Sequence, residues 1–146
     1  MSRWQVAFLR AALFWLVSAG AIGVTVAARP GLTGALAATH AHMATVGFFL
    51  AMVMGVAFWM LPRPGGIRQT EWEAVTFVLL QLGLVARVAG EPWWRTTGNP
   101  TAHALFVASG ALVLASMLTF AWAMRKRIVT LDTLRAKGVR RKKGAA

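Results

Sequence analysis

Three histidines, His40, His42 and His103, carry most of the chemistry available to an otherwise apolar chain. A neutral imidazole offers one lone pair, titrates near neutrality and is the commonest metal ligand. His40 and His42 stand one residue apart in "THAHMATVG", and "HALFVASG" repeats part of that pattern around His103. The chain has no cysteine, which excludes disulfides, thiolate zinc sites, iron–sulfur clusters and c-type haem attachment. Any metal must therefore use histidine, methionine or carboxylate. The four carboxylates are Glu71, Glu73, Glu91 and Asp132, three of them remote in sequence from the histidines. No paired acid–base site is visible, so no catalytic residue is assigned and enzymatic activity is left open.

On a helix, residues i+4, i+7 and i+11 share the face of residue i. For His40 these are Ala44, Gly47 and Ala51, a stripe of small residues; for His42 they are the bulkier Val46, Phe49 and Val53. His103 shares its face with Val107, Gly110 and Leu114. A flat macrocycle ligated by histidine needs clearance one or two turns away, and Gly47 and Gly110 supply it at i+7 from His40 and His103. His40 and His42 lie about 200° apart around the axis, so one helix presents only one of them to a given centre. The expected site is thus a haem ligated axially by His40 and His103. His42 is then an alternative ligand, a propionate partner or a group at a subunit interface. Arg87, inside the apolar run "LVARVAG", costs a few kcal/mol in lipid unless it snorkels or meets an anion. Haem propionates would serve, with Arg95 and the indole N–H of Trp93 or Trp94 as further donors. Two alternatives stand beside this one. Copper could be held by His40, His42, His103 and the thioether of Met43. Or the chain is a non-catalytic subunit or assembly factor whose helices pack against a larger complex.

The elements that must position these residues follow from composition. The chain of 146 residues is 58% hydrophobic and 14% charged, with a mean hydropathy of +0.59, so its solvent is lipid. Four apolar stretches run roughly over 6–28, 38–61, 74–89 and 101–124. Lengths near the ~20 residues that cross a bilayer predict an all-α membrane protein, a four-helix transmembrane bundle. The first stretch is longer than a signal-peptide core and is expected to be retained. Arg3 and Arg10, then Arg63 and Arg68, then nine Lys or Arg from Arg125 to Lys143 put both termini and the middle loop in the cytoplasm, across the inner membrane. The net charge of +12 is then mostly topology, and anionic lipid headgroups, not nucleic acid, are the expected partners. Residues 1–125 form the membrane domain and 126–146 a basic tail, beginning as a surface helix in "IVTLDTLRAK" and ending disordered in "GVRRKKGAA". Pro30, Pro62, Pro64, Pro92 and Pro100 are expected in or beside turns. Aligning Gly20, Pro30, His40 and Gly47 with Gly83, Pro92, His103 and Gly110 suggests two tandem hairpins related by a pseudo-twofold axis. So small a bundle leaves much of any cofactor bare to lipid, which favours a homodimer or a place in a larger complex.

The stretch "HAHMATVGFFLAMVMGVAFWMLPR" resembles the second helix of the catalytic subunit of haem–copper oxidases and nitric oxide reductases. There a histidine near the outer face is followed by an ending like "G-F-M-G-x-x-Y-Y-L-x-P", to which residues 54–62 correspond. The family's haem-ligand position falls at Ala41, between His40 and His42. "LLQLGLVARVAGEP" with "HALFVASG" is similar to parts of the NnrS-like haem- and copper-containing membrane proteins of nitric oxide metabolism. Those families have about three times as many helices and more histidines, so their reduction chemistry is not carried over. The resemblance implies a single b-type haem on the outer side. Bis-histidine ligation would suit electron transfer with quinol or a periplasmic electron carrier; a dissociating ligand would suit binding of NO, O2 or CO.

Overall fold

The computed structural model describes residues 1–61, 70–125 and 127–128. Among the described residues, four helices are long and apolar enough to cross a membrane: Arg3–Ala28, Pro30–Met60, Thr70–Thr97 and Pro100–Met124. The all-α four-helix membrane architecture expected from composition is the one observed. We call these the first to fourth spans. The first is helix α1 (Arg3–Ala28). The second opens on a 3-10 turn (Pro30–Leu32), continues as α2 (Thr33–His42), widens into a π-helical stretch (Met43–Leu50) and ends as α3 (Ala51–Met60). The third is α4 (Thr70–Thr97) and the fourth α5 (Pro100–Met124).

Local chemistry sets the ends. Ser2 and Gln5 form a reciprocal capping box at the start of α1, each side chain satisfying the other's backbone N–H. Gly98, at φ 65°, takes the left-handed conformation that closes α4. Asn99 then caps α5, its Oδ1 accepting from Thr101 N at 2.8 Å and Ala102 N at 3.3 Å, with Pro100 at the first helical position. The turn between the last two spans therefore lies at Gly98–Asn99, and Pro92, expected in that turn, lies inside α4. Hydroxyl groups support the turns around it: Thr96 donates to Pro92 O at 2.8 Å and Thr97 to Trp93 O at 2.7 Å. Pro30, its partner in the proposed repeat, instead starts a span, so the two hairpins are not equivalent there.

Without a hydrophobic drive between helices in lipid, close packing of small residues must hold the bundle. The α4–α5 seam repeats every seven residues. Thr76, Gly83 and Gly90 of α4 are buried, and so are Ala102, Ser109, Ser116 and Ala123 of α5. A Cβ at Gly83 would lie 3.0 Å from Val113 N, so the two backbones nearly touch. Polar atoms along the seam pair across it: Ser116 donates to Thr76 O at 2.9 Å, and the Thr76 and Thr119 hydroxyls meet at 3.1 Å.

The α1 contact with the second span uses large side chains over glycines. Phe8 packs on Gly55 and Trp15 on Gly47, each with an atom 2.8 Å from where a glycine Cβ would stand. Phe8 and Trp15 are seven residues apart, but Gly47 and Gly55 are eight apart. In an unbroken α-helix eight residues overshoot the two turns by about 80°. The π stretch holds Gly47 and runs on to Leu50, toward Gly55; it absorbs the additional residue, so both face α1.

At the end away from the histidines, Glu73 is 2% exposed and accepts from Ser2 Oγ and, at 2.8 Å, from Gln5 Nε2. The carbonyl of Phe58, near the end of α3, takes Gln5 Nε2 at 3.1 Å and Arg127 Nη1 at 3.0 Å. Two orphan-prone elements of the bundle, a helix C-terminus and a buried carboxylate, are thus satisfied together. Residues 62–69, holding Pro62, Arg63, Pro64 and Arg68 of the middle loop, and the tail segments "IVTLDTLRAK" after its first residue and "GVRRKKGAA" lie outside the described residues.

Candidate functional site

His40, on α2, turns toward α1. Its Nδ1 is 2.9 Å from Ala19 O, and its ring fills the space over Gly23, with Cε1 3.0 Å from where a Cβ would be. A carbonyl only accepts, so Nδ1 carries the proton and Nε2 keeps its lone pair. A carbonyl that accepts from one ring N–H in this way fixes the tautomer and the plane of a metal-ligating imidazole. Among the described residues Nε2 has no hydrogen-bond partner, and the ring borders a shallow groove lined by Gly23, Val26, Ala27 and Ala37.

His42 has the opposite allegiance. Its Nδ1 donates back to Ala38 O at 2.7 Å, and Nε2 accepts from Arg87 Nη2 at 2.8 Å. Both ring nitrogens are therefore used, and the tautomer is neutral. Arg87 also stacks over Phe106, its Cζ 4.2 Å from the ring centroid. The guanidinium finds its anion inside the protein: Glu91, 1% exposed, has Oε2 3.6 Å from Arg87 Nε and 3.6 Å from His42 Nδ1. Oε1 accepts from Arg95 Nε at 3.2 Å and Nη2 at 3.0 Å. Arg87, Glu91 and Arg95 are one turn apart on α4, the spacing at which opposite charges meet. Three buried atoms here lack hydrogen bonds: Glu91 Oε2, Arg87 Nε and Thr39 Oγ1. Beside Arg87 a cleft of about 230 Å³ opens between the second, third and fourth spans.

His103 is exposed near the start of α5. It lies against Trp94, with centroids 4.8 Å apart, and stacks at 6.4 Å on Phe106. Val107 and Leu114, on the same face, are each 56% exposed. His40 faces α1 and His103 faces outward on α5, so the structure does not bring the expected pair of axial ligands together. Gly47 gives no clearance to a ring, because Trp15 and Leu84 occupy the space above it. Gly110 does face open space and borders the cleft. The copper set is also dispersed: Met43 is buried against Trp15, Ala19 and Leu84, and His42 Nε2 is taken by Arg87. Among the described residues no group of three or more His, Asp or Glu could hold a bare metal ion. Of the propionate donors expected, Arg87 and Arg95 are engaged by Glu91, Trp94 by His103, and Trp93 is 43% exposed.

Glu91, at the centre of this cluster, is a residue to which the sequence alone assigned no role. The signal that finds it is the i, i+4 alternation of Arg87, Glu91 and Arg95 running straight through Pro92. Comparison of the chain with protein-family models, with curated proteins and with solved structures gave no match.

Proposed function

We propose that this is a membrane haem protein in which His40 is the one axial ligand the chain itself supplies, acting in electron transfer or in binding NO or O2. The observation that carries the reading is the His40 Nδ1–H bond to Ala19 O, made between two spans, which leaves Nε2 free at a groove of small residues. A haem held there would supply an iron centre, and a single protein ligand favours an open sixth position and a diatomic gas over bis-histidine electron transfer. The chain's own part is to fix the ring plane of His40 and to keep His42 out of competition through Arg87. On the positive-inside argument this end of the bundle faces away from the cytoplasm.

The test is the absorption spectrum of purified protein expressed with ample haem, air-oxidised and then dithionite-reduced. A Soret band is expected in the wild type, in His42→Ala and in His103→Ala, and none in His40→Ala. A Soret band that survives His40→Ala, or no band in any of them, overturns the reading. The latter outcome would leave a structural subunit of a larger complex as the better account.

A further inference from the structure

The cleft beside Arg87 is independent of His40 and has its own chemistry. Val46, Leu84, Val113 and Met117 form its apolar walls, and His42, Arg87 and Ser109 bring its polar atoms. An apolar cavity of about 150 Å³ holds benzene. A space of about 230 Å³ therefore has room for a six-membered ring with substituents. Its mouth passes Gly110, which is exposed and has nothing within 4 Å of its Cβ position, so a ligand dissolved in lipid enters sideways.

The polar atoms set what that ligand must offer. Both nitrogens of His42 are engaged, and the Ser109 hydroxyl donates to Phe106 O at 2.5 Å. The surplus lies on Arg87. A guanidinium has five N–H donors; one goes to His42, and the buried Nε–H makes no hydrogen bond. The ligand must therefore accept. It need not be an anion, because Glu91 already compensates Arg87 within the protein, and Arg95, more than a third exposed, keeps access to water. A neutral acceptor on a flat apolar ring meets these terms. We propose that the cleft binds a lipid-soluble carbonyl compound of the quinone class, a carbonyl oxygen accepting from Arg87.

The experiment uses the full chain in lipid nanodiscs, titrated with a ubiquinone bearing a decyl tail, and counts bound quinone above that taken up by empty nanodiscs. Gly110→Leu fills the cleft without a clash at Cβ; Gly20→Leu, equally free of neighbours at Cβ, is the control. Saturable binding in wild type and Gly20→Leu, weakened at least tenfold in Gly110→Leu, is the expected result. Equal uptake by all three proteins means partition into lipid and overturns the proposal. Palmitate bound in a Gly110-dependent way, with no quinone bound, overturns it in favour of a carboxylate ligand.

Discussion

Replacing Gly83 by alanine tests whether the small-residue seam holds the bundle. The added Cβ would stand 2.9 Å from Val113 Cγ2, 3.0 Å from Val113 N and 3.1 Å from Leu112 Cβ. Valine can rotate its methyl away, but the backbone nitrogen of α5 cannot leave without moving the helix. Restoring ordinary contact means separating α4 and α5 by several tenths of an ångström along the seam. That loosens the Ser116–Thr76 and Thr76–Thr119 hydrogen bonds above it. Overpacking of this kind costs ~1–3 kcal/mol, against which alanine regains ~0.5–1 kcal/mol of helix propensity over glycine. The net loss expected is centred on ~1 kcal/mol and reaches at most ~2.5 kcal/mol. Gly110→Ala, on the same pair of helices but facing open space, carries only the gain. The two alanine variants should therefore fall on opposite sides of wild type in reversible unfolding by SDS from mixed micelles. A Gly83→Ala protein as stable as Gly110→Ala would refute the close-packed seam.

Two further perturbations probe the histidine end. Glu91→Leu removes the anion shared by Arg87 and Arg95 and should cost ~3–5 kcal/mol in the same unfolding assay, as expected when one partner of a buried pair is lost. Adding Arg87→Leu to it should recover part of that loss, and additive losses would show that the charges do not act together. Trp15→Phe keeps the packing over Gly47 but deletes the 2.9 Å bond from Nε1 to Gln81 Oε1. Gln81 Nε2 is already unpaired, so the amide would have no partner left, at ~1–3 kcal/mol. A Phe variant with wild-type stability would mean that Gln81 finds another donor.

The spans were legible because length and hydropathy are enough to identify a membrane helix. Which side of each helix packs was not, since lipid and bundle interior are both apolar. His103 shows the consequence: Val107 and Leu114 read equally well as a cofactor face or a lipid face, and they are largely exposed. The glycines misled for a related reason. Gly47 does share a face with His40 and Ala51, as the helical period predicts, but that face belongs to Trp15 of α1, whose partner could not be named from one helix. The seven-residue spacing of Ala102, Ser109, Ser116 and Ala123 was present in the sequence and marks the seam. Pro92 hid Glu91 by suggesting a turn. At that point the ion pairs of Arg87, Glu91 and Arg95, one helical turn apart, agree with a continued helix, whereas the proline alone argued for its end.

The polar cluster is a product of the packing around it. Gly90 lets α4 approach Phe106, its Cβ position 3.1 Å from Phe106 N, and in that position the Phe106 ring backs the Arg87 guanidinium. With α5 behind it, Arg87 extends toward the second span. On that side the π stretch seats Gly47 beneath both Trp15 and Leu84, which draws α2 close enough for His42 to reach Arg87. Removing a residue between His42 and Gly47 would therefore separate the two contacts. Deletion of Thr45, which is exposed and donates only to Ala41 O, would leave Gly47 and Gly55 eight residues apart but rotate His40 and His42 by about 100° relative to them. The bundle could then keep its α1 contact, whereas the His42–Arg87 and His40–Ala19 bonds could not both form. The π turn thus reconciles a glycine spacing that suits α1 with a histidine pair whose two members serve different neighbours.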